Sequence, residues 1–298
     1  MDNWYSIREQ SAGKWRIRFL WGVYRVFGLR ALKVIIWFVV GFITMCAAKP
    51  RGASRKYKKI LQQYERKNNI KLSRFSSFGH ILCFANSVID KMAVICDKKT
   101  KIHFDFYKNP DFTEVQKLFE QNKGVFFICS HLGNTEALSG VPTKSKKRMH
   151  AFMNVGQNPI FRSFITQHAK YDNTIIYPTE NIDVAMAGKM HDALCNGDCV
   201  MMAGDRRSPN APDKTIVTEI LGTRCELPAG VFRFARALTH PVFAIANINI
   251  GPEKYMIFVK RLGTENINVM AQEYADFLQD LIIKYPKQWF NFFDFFQK

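Results

Sequence analysis

Negative charge is scarce in this chain. Its 298 residues hold 25 Asp and Glu against 43 Lys and Arg, a formal net charge of +18. Such self-repulsion points to a polyanionic or membrane-surface partner. Paired cysteine spacing is missing too. The seven cysteines (Cys46, Cys83, Cys96, Cys129, Cys195, Cys199 and Cys225) are scattered, odd in number and mostly set in apolar runs. That excludes a disulfide framework and suits buried thiols in a reducing compartment. Cys195 and Cys199 are the nearest pair, yet no second close Cys or His pair completes a zinc site. No metal or redox cofactor is expected. Internal repeats and low-complexity linkers are also absent, so a repeat array is excluded.

No uncharged stretch reaches the roughly twenty residues needed to cross a bilayer. The most apolar, residues 34–48 (VIIWFVVGFITMCAA), has fifteen, and Ala31, Leu32 and a snorkelling Lys33 extend it. It is not a signal peptide, because it begins late and runs into Lys49-Pro50-Arg51 without a cleavage site.

Around that run the composition is distinctive. Residues 1–60 carry thirteen Lys and Arg against Asp2 and Glu9, a local excess of +11, and four of the five tryptophans (Trp4, Trp15, Trp21, Trp37). Tryptophan and cations flanking an apolar run suit the bilayer interface, where rings rest at headgroup depth and cations meet anionic lipid. Positive charge on both sides disfavours carrying either cluster across, so a helix lying in the plane competes with a spanning one. The remaining alternative is a buried core helix. Nucleic acid would also attract this charge, but no recognition motif accompanies it, and no nucleic-acid partner is expected. Residues 55–71 form a polar, helix-prone stretch leading into the rest of the chain. The expected division is a basic, Trp-rich membrane segment at 1–60 and a catalytic domain at 61–298.

Beyond residue 120 short apolar runs alternate with helical stretches. Strands are expected at 124–129, 149–153, 174–177 and 200–203, with helices at 160–169 and 182–195. A helix starting near Pro228, a strand pair at 242–250 and 255–262 around Gly251-Pro252, and an amphipathic helix at 271–283 complete the series. This alternation predicts an α/β fold with a mostly parallel central sheet flanked by helices, preceded by the membrane-associated segment. Sites in such sheets gather at the carboxyl ends of strands.

Directly after the first strand of this series comes Ser130-His131-Leu132-Gly133-Asn134-Thr135-Glu136. A spacing of five is wrong for one helical face but right for a strand-to-helix corner that folds the carboxylate back toward the imidazole. A carboxylate bonded to one ring nitrogen fixes the tautomer and leaves the other nitrogen to accept a proton. His131 is therefore the candidate general base and Glu136 its orienting partner. Ser130 and Cys129 are poor nucleophile candidates: strand neighbours point to opposite faces, and no G-x-S-x-G elbow is present.

This stretch resembles the H-x4-D/E motif of the lysophospholipid acyltransferase superfamily, in its lipid A biosynthesis (lauroyl/myristoyl) acyltransferase branch. The similarity runs over most of the chain from residue 15. Gln157-Asn158-Pro159-Ile160-Phe161 resembles the second block of that family. Met201 to Arg207 (MMAGDRR) resembles the Asp-containing strand end, and Leu221 to Val231 (LGTRCELPAGV) the segment where a Gly and a Pro-x-Gly frame a helix start. Trp289 to Asp294 (WFNFFD) is similar to the aromatic ending of a subset, some associated with aryl-polyene-type lipids. One departure stands out: Asn154 occupies a place where the lipid A enzymes usually have arginine, and Arg162 on the next helix is the candidate substitute.

The resemblance implies a glycerol-phosphate-acyltransferase-like fold and an acyl thioester donor, on acyl carrier protein or coenzyme A. It also implies a membrane-lipid acceptor bearing a hydroxyl or amine, at a bacterial inner membrane with the catalytic domain facing the cytoplasm. It places Asn134, Asn158, Asp205, Arg206, Arg207, Gly222, Pro228 and Gly230 among the substrate-binding residues. Asp205 would contact acceptor hydroxyls, and an arginine would hold donor phosphate or a headgroup. Backbone amides near Gly133, or an arginine, would receive the oxyanion. For the aromatic tail (Phe290, Phe292, Phe293, Phe295, Phe296), core packing is the first expectation and lipid contact the second.

Overall fold

The computed structural model describes residues 14–140, 147–153, 159–170, 173–179, 182–207 and 211–296. Three helices open it: α1 (Lys14–Cys46), α2 (Ala48–Asn68) and α3 (Ser77–Cys96). There follow β1 (His103–Phe106), α4 (Pro110–Glu120), β2 (Val125–Cys129), a 3-10 turn (Thr135–Gly140), β3 (Met149–Met153), α5 (Pro159–His168) and β4 (Thr174–Pro178). Next come α6 (Val184–Cys195), β5 (Cys199–Ala203), the hairpin β6 (Thr215–Ile220) and β7 (Thr223–Pro228), and α7 (Ala229–Ala237). The chain finishes with β8 (Val242–Gly251), β9 (Lys254–Arg261), α8 (Ile267–Lys284) and a 3-10 turn (Pro286–Gln288).

Seven strands form one sheet in the order β1-β9-β8-β2-β5-β3-β4. β8, β2, β5, β3 and β4 run parallel, while β9 and β1 run the other way. The expected mostly parallel α/β sheet flanked by helices is what the chain forms. The reason is visible in β2: Val125, Phe126, Phe127 and Ile128 are all buried, as a strand covered on both faces requires. Phe126 and Ile128 join the larger core with α7 and α8, whereas Val125 and Phe127 face the layer containing Val115 of α4.

The amino-terminal region differs in detail from its expectation. The apolar run belongs to a longer helix, α1, broken at Gly28 (φ 80°, ψ −179°), a conformation open to glycine and strained for other residues. Ile17, Tyr24, Leu32, Ile36 and Val40 are buried, with the last three at four-residue spacing, in a cluster shared with α3 and α5. The other side exposes Trp15, Phe19, Phe27, Trp37, Phe38 and Phe42. α1 and α3 are both long and apolar enough to cross a membrane. α3, however, buries His80 and Asp90 and lies against the sheet through a cluster that includes Tyr255. The division expected at residue 60 falls inside α2, whose Tyr57 and Leu61 both enter the main core. Five helices and strands had no sequence expectation: α3, β1, α4, β6 and β7.

Candidate active site

β2 and β5 are adjacent, parallel and in register, with Val125 opposite Cys199 and Cys129 opposite Ala203. His131 and Asp205 each lie two residues beyond those ends, so the register sets them side by side. The His131 ring Nδ1 is 2.9 Å from Asp205 Oδ1, and the His131 main-chain N–H donates to Asp205 Oδ2 at 2.9 Å. Asn291 Nδ2 donates to the same Oδ2 at 3.1 Å. Asp205 is buried, whereas the His131 side chain keeps 30% of its surface exposed. Burial alone would raise the Asp205 carboxyl. The His131 charge, its ring and main-chain hydrogen bonds and the nearby Arg206 outweigh it and hold the group at about 2. A carboxylate on Nδ1 sets the tautomer that leaves Nε2 to face a reactant.

The carboxylate bonded to the histidine is thus Asp205, and the expectation that Glu136 orients the ring is corrected on geometry. Glu136 stands in the first turn of the 3-10 segment, half-exposed, and pairs with Lys91 of α3 at 2.5 Å. Lys91 holds the Glu136 carboxyl below its usual range, with the charges of His131 and Arg206 adding to the lowering. Glu136 therefore remains within electrostatic reach of the ring. The cause is the corner itself: it continues as a 3-10 turn packed on α3, which takes the carboxylate to that helix.

The corner is fastened by main-chain bonds. Gly133 (φ +73°) has its amide bonded to Gln288 O at 2.8 Å, and Asn134 N donates to Asn247 O at 2.7 Å. Both amides are spent internally, which removes them as the oxyanion donors envisaged near Gly133. A Cβ on Gly133 would sit 2.1 Å from Asn247 O. Asn134, expected to touch substrate, is buried and donates through Nδ2 to Ser87 O of α3, while Asn247 Nδ2 donates to Asn134 O. It is a structural tie.

The carboxy-terminal tail forms one wall. Leu132 bridges to Trp289, and Phe290 N donates to His131 O. Arg206 is held by that tail, donating through Nε to Asn291 Oδ1 at 3.0 Å and through Nη2 to Phe290 O at 3.2 Å, with its guanidinium over the Phe293 ring. Arg207 pairs with Glu226 of β7. Trp289, Phe290 and Phe295 are buried, so packing is the role these aromatics show.

The remaining candidates are dispersed. Gly222 sits in the β6–β7 turn at φ +65°, nearest Tyr64 and Lys67 of α2. Pro228 is buried at the other end of that hairpin, capping α7, and Gly230 is exposed in the first turn of α7. Asn154 and Asn158 lie outside the described residues. Ser130 is buried and accepts from Leu132 N, and burial first, then Asp205 and Glu136, pushes the Cys129 thiol up, so neither is a ready nucleophile. The residues that sequence reasoning missed are Asn291, Lys91 and Asn247. Asn291 had one signal, an amide enclosed by an aromatic run, and the other two had none.

The chain matches no protein-family model and no curated protein.

Proposed function

We propose that this chain is a membrane-associated acyltransferase, built on a glycerol-phosphate-acyltransferase-like fold. It moves a fatty acyl group from a thioester of acyl carrier protein or coenzyme A to a lipid hydroxyl or amine. The observation that carries the reading is the pairing of a partly exposed His131 with buried Asp205 at the ends of two adjacent parallel strands. Asp205 on Nδ1 makes Nε2 the base. As the acceptor attacks the thioester carbonyl, its proton passes to Nε2, and Asp205 supports the imidazolium. The oxyanion then collapses, the carbon–sulfur bond breaks, and the proton leaves with the thiol. General-base help of this kind contributes ~10²–10⁴-fold.

Glu136 balances charge near the ring rather than holding it, and Arg206 supplies positive charge beside the base for the oxyanion or a phosphate of the donor. Membrane attachment is supported by the exposed Trp and Phe side of α1. We read α1 as lying in the membrane plane, because its opposite side packs against the rest of the protein, on α3 and α5. The cytoplasmic face of a bacterial inner membrane fits a thioester donor.

The test is incubation of the purified protein in detergent with labelled acyl thioester and bacterial lipid extract. Label in lipid, lost in His131→Ala, is expected. Free acid as the sole product would make the protein a thioesterase or lipid hydrolase. Vesicle binding without turnover would make it a non-catalytic lipid-binding protein.

A further inference from the structure

At the opposite pole of the sheet, three side chains of a different chemistry converge. β8 runs parallel to β2 with Phe126 opposite Val242, so His240, two residues before Val242, lies at the end of the sheet away from His131. There it meets the last turns of α6. His191 and Cys195 are four apart on that helix and share a face. His191 Nε2 is 3.6 Å from Cys195 Sγ, and His240 Nε2 is 3.8 Å from the same sulfur. All three atoms lie within 4.8 Å of one another.

Two Nε2 atoms converge on one sulfur, which as a thiol donates and accepts only weakly. A tetrahedral cation accounts for the arrangement more fully. With metal–sulfur near 2.3 Å and metal–nitrogen near 2.0–2.1 Å, sulfur and nitrogen ligands stand about 3.6 Å apart, which matches both spacings. His191 also has its other nitrogen, Nδ1, 3.4 Å from Leu238 O. A carbonyl on the far nitrogen is how ligating histidines are commonly oriented, and here it aims Nε2 at the sulfur. Cys195 is a free, exposed thiol, His191 is exposed and His240 half-buried, so an ion has access.

We propose that His191, Cys195 and His240 form a surface site for a borderline-soft divalent cation, Zn²⁺ by preference, with water in the fourth position. The proposal departs from the expectation that no metal is bound. That expectation rested on cysteine spacing, whereas two of the three ligands are histidines and one arrives from a distant turn. Bound there, the ion pins the end of α6 to the turn between α7 and β8. Imidazole and thiolate together select Zn²⁺ over Mg²⁺ or Ca²⁺.

The test uses the full chain in detergent, stripped with chelator and titrated with Co²⁺, then competed with Zn²⁺. One equivalent of Co²⁺ should give a thiolate-to-metal charge-transfer band and the visible bands of tetrahedral coordination, both bleached by Zn²⁺ and untouched by Mg²⁺. Cys195→Ser should abolish the charge-transfer band with the other six cysteines intact, and His240→Ala should weaken binding by about 100-fold or more. Zn²⁺ should raise the thermal midpoint of the parent protein but not of Cys195→Ser; the metal-free midpoints of both variants report whether they fold. A charge-transfer band that survives Cys195→Ser, no band in the parent, or an equal Zn²⁺ shift in all three proteins would overturn the site.

Discussion

Lys91 of α3 and Glu136 form an ion pair of 2.5 Å that ties the turn after His131 to a helix otherwise engaged with α1. The adjacent residue on α3, Asp90, is buried and pairs with Lys33 of α1 at 2.6 Å. Two successive side chains of one helix therefore reach the His131 corner on one side and α1 on the other. This arrangement connects where the protein is proposed to sit with where it is proposed to react.

Because the ring is held by Asp205 and not Glu136, the two carboxylates should differ in kinetic weight. Asp205→Asn should lower the rate of acyl transfer by about 10³-fold, and Glu136→Gln by about tenfold, within the range open to general-base catalysis. Initial rates of lipid labelling measure both. Equal losses, or a larger one for Glu136→Gln, would return the orienting role to Glu136.

Asp205 also makes stability depend on pH. Its folded carboxyl, at about 2, lies below the usual aspartate value of 3.8. The contribution is therefore fully present above pH 3.8 and is lost as pH falls through about 2. The difference amounts to about 2 kcal/mol. Urea unfolding of the parent and of Asp205→Asn between pH 7 and pH 2 should show a gap that narrows only in that acidic window. A constant gap refutes the assignment.

Gly133 combines φ +73° with an approach that leaves no room for a Cβ beside Asn247 O. Gly133→Ala should cost at least about 2 kcal/mol and displace the His131 corner. Thermal unfolding gives the first quantity and the transfer rate the second. A variant as stable and active as the parent would show that the corner relaxes freely.

The exposed side of α1 should govern membrane partition. Replacing Phe38 or Phe42, 65% and 70% exposed, by Ser removes ~1.5–3 kcal/mol of apolar insertion. Sedimentation with anionic vesicles should show about a tenfold loss for each. The same change at Ile36, buried against α3, should instead lower stability. Unchanged partition after the Phe changes would detach α1 from the membrane role.

Much of the fold was legible because its signals are local. The runs at 125–129 and 199–203 are uniformly apolar over strand length, and their burial between helix layers follows from that alone. α3 escaped notice since His80 and Asp90 interrupt an apolar stretch. Only the fold supplies their partners: Ser54 and the Trp289 carbonyl for His80, Lys33 and Tyr255 for Asp90.

His131 was found from its place at a strand's end, and Asp205 was noticed for the same reason, though in a different role. The sequence by itself determined which residues carry apolar surface, which can take or give a proton, and that strands and helices alternate. Which carboxylate meets which imidazole was decided only in three dimensions. Parallel register places residues 74 apart side by side, while the chain direction after Gly133 carries a nearer acid to a different helix. The same holds for His191, Cys195 and His240: helical spacing brings two of them together, but only the packing of a distant turn brings the third.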